Sequence, residues 1–185
     1  MNKEAAERYV NEYGKNLYSF CRYCTRDLEA ANELYQQTFL VAFEKDELEA
    51  DANPVSYLIT IAVNLWKNRL RKTAWRKKIA DVRAAGEEEL AQIADAGPSV
   101  EEEVERKQER QRVRECVREL PEKYRIVILM FYMEDMSIAE IASALRIPEG
   151  TVKSRMNQAK KLLKEKLQDG EEGIGFVVKT VPDAR

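Results

Sequence analysis

Residues 137–167 read SIAEIASALRIPEGTVKSRMNQAKKLLKEKL, and the fold turns on how this stretch is divided. Ser137-Ile-Ala-Glu140 spells a capping box, a hydroxyl that can cap a helix start with a carboxylate three residues on to return the bond. Ile138, Ile141, Ala142 and Leu145 then recur at three- and four-residue steps, one face of a helix. Arg146-Ile-Pro-Glu-Gly150 interrupts it, because Pro148 disfavours helix in the residue before it and Gly150 permits unusual backbone angles. A second helix is expected from about Thr151, with Val152, Met156, Ala159, Leu163 and Leu167 as its inward stripe. It carries Lys153, Arg155, Lys160, Lys161, Lys164 and Lys166 against one acid, Glu165. A short helix, a turn and a basic second helix make a helix-turn-helix, whose second helix can enter the major groove of DNA. The alternative is a plain helical hairpin with a solvated lysine face.

Charge elsewhere in the chain bears on that choice. The formal net charge of the 185 residues is only −2, so a polyanionic partner is not visible globally. The charge is segregated, however. Residues 64–78 hold seven basic side chains and no acid, whereas residues 81–109 hold ten acids against three bases. Two basic patches separated by an acidic span suggest two anchors on one polyanion, joined by a segment that avoids it. Histidine is absent, which removes the commonest general base and metal ligand, and no glycine-rich phosphate loop occurs. An enzyme is not expected, and neither a cofactor nor a metal. No apolar run approaches the length of a membrane span and the N-terminus lacks a signal-peptide core, so a cytoplasmic protein with no direct membrane insertion is expected.

Working back to the N-terminus, residues 4–24 carry Ala5, Ala6, Tyr9, Val10, Tyr13, Leu17, Phe20, Cys21 and Cys24 on one helical stripe. Cys21 and Cys24 spell Cys-x-x-Cys, which could be a redox pair or half a zinc site. Both thiols lie on the apolar stripe with no second Cys or His pair, so they read as two buried small hydrophobes. Asp27 or Thr25 can cap a second helix over 28–44, with Leu28, Ala31, Tyr35, Phe39 and Ala42 on one face. Leu34 and Val41 are apolar on another side, so this helix is either central in its domain or docks a partner. Asn53-Pro54 signals a third helix, to about Lys72, with Val55, Leu58, Ile61, Ala62 and Leu65 inward. Its basic second half is interleaved with or near Tyr57, Trp66 and Trp75. Cations hold phosphates and flat aromatic faces stack on unpaired bases, which suggests single-stranded or melting DNA. The plainer reading makes Tyr57 and Trp66 core and the lysines solvated.

The expected fold is all-α, with two small helical domains joined by an acidic flexible linker. The first domain spans 1–78, the linker, broken by Gly86, Gly97 and Pro98, 79–108, the helix-turn-helix domain 109–168, and a tail of unknown role 169–185. In the second domain a helix from about Glu101 leads into Val113, Cys116, Val117 and Leu120, and Pro121 starts another with Tyr124, Val127, Ile128 and Phe131 inside.

With these pieces in place the chain resembles an extracytoplasmic-function (ECF) sigma factor, a promoter-specificity subunit of bacterial RNA polymerase. Asn32-Glu-Leu-Tyr-Gln-Gln-Thr-Phe39 looks like the acidic-Leu-x-Gln-acidic-Thr-Phe motif of sigma domain 2. Pro54-Val-Ser-Tyr-Leu-Ile-Thr-Ile-Ala-Val-Asn64 looks like the Pro-x-x-(Trp/Tyr)-Leu-x-x-Ile-Ala-x-Asn stretch that follows it. Leu120-Pro-Glu-Lys-Tyr-Arg125 and the segment from Met136 to Arg155 look like sigma domain 4. Gln37 stands where the family usually has an acid and Ala30 where it often has aspartate, which bears on the charge of the polymerase contact and not on the fold.

The resemblance implies roles. Glu33, Leu34, Gln36, Gln37 and Phe39 would dock the clamp coiled coil of the polymerase β′ subunit. The 45–53 loop, Asn64, Lys67, Asn68, Arg71, Lys72 and Trp75 would read and open the minus-10 element. The second domain would sit on the β flap and read the minus-35 element. There Lys153, Ser154, Asn157 and Gln158 would touch base edges, and Thr151, Arg155, Lys160 and Lys161 phosphates. Partners would then be core RNA polymerase, promoter DNA both duplex and melted, and an anti-sigma factor. The competing readings are a stand-alone helix-turn-helix regulator, which would bind duplex operator without polymerase, and a thiol redox protein using Cys21 and Cys24.

Overall fold

The computed structural model describes residues 3–45, 53–80 and 111–168. The acidic loop after α2, nearly all of the linker expected over 79–108 and the tail from 169 lie outside them. Among the described residues every regular element is an α-helix. α1 is Lys3–Thr25, α2 Leu28–Lys45 and α3 Pro54–Ala80. Residues 111–119 form α4, followed by α5 (Glu122–Tyr132), α6 (Ile138–Leu145) and α7 (Glu149–Gln168).

The first three helices pack pairwise on one another. Leu17, Phe20, Cys21 and Cys24 of α1 are buried among Ala31, Leu34, Phe39 and Ala42 of α2 and Leu58, Ile59, Ala62 and Val63 of α3. The apolar excess of α2 is thereby accounted for: it is the central helix, touching α1 on one side and α3 on the other. Gly14 lets α1 and α2 close, because a Cβ there would sit 2.7 Å from the Tyr35 hydroxyl. Tyr35 cannot easily retreat, since its ring packs edge-on against both Tyr18 and Phe39. Asp27 caps α2, its Oδ1 accepting from the Ala30 N–H at 2.6 Å, and Asn53 caps α3 by accepting from the Ser56 N–H at 3.2 Å. Three expectations fail here. Val10, expected on the inward stripe of α1, is exposed. Leu28 is exposed rather than inward. α3 runs eight residues past Lys72, because neither Gly nor Pro breaks the chain before Gly86.

In the second group α5, α6 and α7 pack together. The capping box forms as spelled. The Ser137 hydroxyl accepts from the Glu140 N–H at 3.2 Å, and a Glu140 carboxylate oxygen accepts from the Ser137 N–H at 2.7 Å. The turn differs from expectation. Gly150 lies inside the first turn of α7, and the left-handed residue is Arg146, with φ 54°. Arg146 closes α6, its N–H bonding to the Ala142 and Ser143 carbonyls, and the Ile147 N–H also reaches Ala142. The turn is therefore set by these carbonyls and by Pro148, not by glycine. Val152, Met156 and Ala159 are buried as expected, and Leu163 and Leu167 are half-buried.

The two groups also touch, α1 against α5 and α3 against α6, and their buried side chains form one cluster. Among the described residues, hydrogen bonds from three cations cross between them. Arg26 donates to the Leu120 carbonyl at 2.7 Å, Arg125 to the Cys24 carbonyl at 2.9 Å and Lys67 Nζ to the Leu145 carbonyl at 2.8 Å.

Candidate nucleic-acid interface

α7 sorts its side chains by its own periodicity. With Val152, Met156 and Ala159 turned inward, Lys153, Ser154, Asn157, Gln158 and Lys161 are exposed, and Thr151, Arg155 and Lys160 are half-buried at the flanks. All four residues expected to touch base edges thus lie on the open face of the helix. They supply an ammonium, a hydroxyl and two carboxamides that can both donate and accept, which are groups able to bond base edges.

α3 offers a second basic surface. Asn68, Arg71, Lys72 and Trp75 are exposed, Trp75 at 68% of its surface, while Asn64 and Lys67 are half-buried. Trp66 is only 8% exposed and belongs to the core, so it is not available for stacking; Tyr57 is half-buried against the core. An indole 68% open beside Arg71, Lys72 and Arg76 retains both features that unpaired bases require, a flat face and cations.

Packing α3 on α6 brings the two basic sets together. The pKa of the Lys67 ammonium is lowered by burial, then by Arg155, Arg71 and Arg146, with Glu122 opposing them. Arg71 belongs to α3 and Arg155 to α7, so Lys67 sits where the two surfaces meet.

The face expected on α2 needs correction. Leu34 and Phe39 are 3% and 5% exposed and point into the core, because they follow the same period as Ala31 and Ala42. Glu33, Gln36 and Gln37 are exposed, and Leu40 joins them at 61% exposure. These four occupy the i, i+3, i+4 and i+7 positions of one face. The sequence reading missed Leu40; the signal was available, since it falls off the stripe that Ala31, Tyr35, Phe39 and Ala42 define. Glu33 is engaged on this face by Arg69 of α3 and by Gln37 Nε2 at 3.0 Å.

The thiols of Cys21 and Cys24 are closed off from solvent. Cys21 and Cys24 are fully buried, and burial, reinforced by Glu134, pushes Cys21 up to about 12. Burial likewise drives Cys24 far above the ordinary thiol range. Thiol chemistry needs the thiolate, so the redox reading has no support. Among the described residues no group of His, Cys, Asp and Glu could hold a metal, and no helix is long and apolar enough to cross a membrane.

Comparison with known proteins agrees with this geometry. Residues 9–76 match the model of sigma-70 region 2 and residues 110–163 that of sigma-70 region 4. The chain is 30% identical over 175 residues to the ECF RNA polymerase sigma factor SigW of Bacillus subtilis, covering 91% of each chain. It is 29% identical over 161 residues to the ECF RNA polymerase sigma factor SigL of Mycobacterium tuberculosis, covering 86% of each. Its fold is similar to that of the sigma factor RpoE, solved in complex with the anti-sigma factor NepR from Bartonella quintana, at a TM-score of 0.69 and 21% identity over 88% of this chain and 96% of that one. With both sigma regions matched in order and a relative of this identity along nearly the whole length, the chain belongs to the ECF sigma factors, which direct RNA polymerase to particular promoters.

Proposed function

We propose that this sigma factor divides its work among three exposed helical faces. Glu33, Gln36, Gln37 and Leu40 of α2 dock core RNA polymerase at the clamp coiled coil of its β′ subunit. Asn64, Lys67, Asn68, Arg71, Lys72 and Trp75 of α3 hold the minus-10 element and help melt it. In α7, Lys153, Ser154, Asn157 and Gln158 read the minus-35 element while Thr151, Arg155, Lys160 and Lys161 hold its phosphates, the second group of helices resting on the β flap. The boundaries of the two working units are 1–78 and 109–168. The observation that carries this reading is that two basic helices, each within a matched sigma region, leave their polar and aromatic contacts outward while their apolar stripes are buried.

Regulation by an anti-sigma factor is part of the proposal. Two solved chains of similar fold, RpoE with NepR and CnrH with the cytosolic domain of CnrY, were captured in such complexes. A stand-alone regulator is not favoured, because α2 and α3 carry a matched sigma region that such a protein does not need.

The test is run-off transcription by purified bacterial core polymerase on a library of promoter fragments, with and without the chain. New start sites sharing two spaced upstream elements are expected. No new start sites, together with tight duplex binding by the chain alone, would overturn the proposal.

A further inference from the structure

The outer face of α2 carries a knob and a hollow side by side. The knob is Leu40, an apolar side chain 61% exposed. The hollow begins one helical turn back, at Gln36, in the groove between α1 and α2. It is an open cleft of about 450 Å3 lined by Val10, Gly14 and Tyr18 of α1 and by Asn32, Tyr35 and Gln36 of α2. The missing side chain at Gly14 keeps it open, since a Cβ there would lie 2.7 Å from the Tyr35 hydroxyl and 3.7 Å from Val10 Cγ1. Its walls are apolar where Val10 is exposed and where the rings of Tyr18 and Tyr35 meet edge-on. The cleft is larger than one leucine side chain needs.

A knob and a hollow on one face are what a two-fold contact requires, because each copy presents the same patch and the patch must fit itself. Two α2 helices can lie antiparallel with the axis at the level of Thr38. Leu40 of one copy then stands over Gln36 of the other, at the mouth of the hollow, and Glu44 stands over Asn32 at its rim. The charges agree with this register. Lys15 lines the same hollow, Lys15 and Glu44 are both exposed, and neither is ion-paired among the described residues. Near the axis Gln36 and Gln37 are neutral and can donate and accept, and Glu33 is engaged by Arg69. Two copies of the face therefore meet without like charges opposed.

We propose that a second copy of this chain docks on this face, Leu40 of each copy filling the hollow of the other and Lys15 pairing with Glu44 across the contact. The area sets the strength. From Asn32 to Glu44 α2 runs about 20 Å, and two adjacent helices are about 20 Å wide. That patch is roughly half of the ~800 Å2 per partner of a standard interface, so the dimer is transient, with a dissociation constant on the order of 10–100 μM. Gln36 and Leu40 also belong to the proposed polymerase contact, so dimer and polymerase complex exclude one another. The dimer is a store of sigma factor from which polymerase draws the monomer. That competition rests on the docking reading above; the dimer does not.

The experiment is sedimentation velocity on the full chain from about 1 to about 500 μM, a range that brackets this affinity. A shift from monomer to dimer with concentration is expected. Leu40→Asp should weaken the dimer roughly tenfold or more, and Lys15→Glu or Glu44→Lys alone should do the same by setting like charges across the axis. Lys15→Glu combined with Glu44→Lys should restore it, because the pair is remade with its signs reversed. A thermal melt confirms that each variant folds. A chain monomeric throughout, a dimer that Leu40→Asp leaves intact, or one that the double exchange fails to restore would overturn the proposal. Adding core polymerase to the dimer, with run-off transcription on the same samples, separates the two readings. Release of monomer with transcription supports the competition, and transcription with the dimer persisting overturns it. A dimer without transcription by any variant removes the polymerase reading and leaves the dimer standing.

Discussion

Ser137 and Glu140 show how much one pair of side chains does at the start of α6. The hydroxyl and the carboxylate each satisfy a backbone N–H that the helix leaves open, and hydrogen bonds from Ser137 hold the Glu140 carboxyl below its ordinary value. Ser137→Ala should cost about 1 kcal/mol of stability in urea unfolding, the usual worth of such a cap. An unchanged midpoint would mean that the tertiary packing of Ile141 and Leu145 holds this end without it. Arg125 makes the contrasting point. It is a full charge at 3% exposure, tolerated because three carbonyls receive its guanidinium, while burial lowers its pKa to about 10. Nothing in the motif Leu-Pro-Glu-Lys-Tyr-Arg marks it as interior.

At the scale of the element, α7 and α2 present one-sided faces whose roles separate cleanly. Lys153→Ala and Asn157→Ala should each weaken minus-35 recognition by about 1–3 kcal/mol, the range for a base-edge contact, and relax selectivity at one base pair. Unchanged promoter choice in both variants would sink the assignment of α7. On α2, Leu40 is an apolar side chain 61% exposed between polar neighbours. Leu40→Asp should weaken binding to core polymerase roughly tenfold without lowering the melting temperature, as expected of an apolar contact that only the complex buries. A fall in melting temperature with normal affinity would instead make Leu40 part of the fold. α3 is divided along its length: up to Trp66 it serves the core, and from Asn68 to Arg76 it is basic and mostly exposed, with Leu70 still half-buried against the core.

For the whole molecule the feature of consequence is that the two groups share buried surface, and one group titrates there. Glu134, on the turn between α5 and α6, lies near Cys21 of α1. Burial, reinforced by Asp135, raises its carboxyl from 4.5 to about 7, and its Oε2 is buried without a hydrogen bond. Below pH 4.5 the carboxyl is protonated whether the chain is folded or not. Between about 4.5 and 7 the unfolded chain ionises it and the folded chain does not, so stability falls as pH rises, and the loss is complete above about 7. Glu134→Gln should remove that fall and stabilise the protein at pH 8 but not at pH 4.5, measured by denaturant unfolding at several pH values. An equal effect at both would show that ionisation of this carboxyl is not what costs the stability.

The sequence by itself determined the helical class, the capping box, the inward stripes of α1 (Val10 excepted) and α7 and the exposed polar face of α7. All of these follow from periodicity and local hydrogen bonding within a few residues. It also carried the family, because the motifs stand in order along the chain. It could not place Leu34 and Phe39 in the core and Leu40 outside, since which side of α2 is covered depends on α1 and α3 arriving from elsewhere. It put the special backbone of the turn at Gly150, whereas the carbonyls at the end of α6 put it at Arg146. The three cations that join the two groups were invisible in it for the same reason. Arg26 and Leu120 are 94 residues apart and Cys24 and Arg125 101 apart, and helix-end carbonyls are acceptors that no side-chain pattern announces. Contacts between distant parts of the chain are decided by packing, and only the tertiary structure records it.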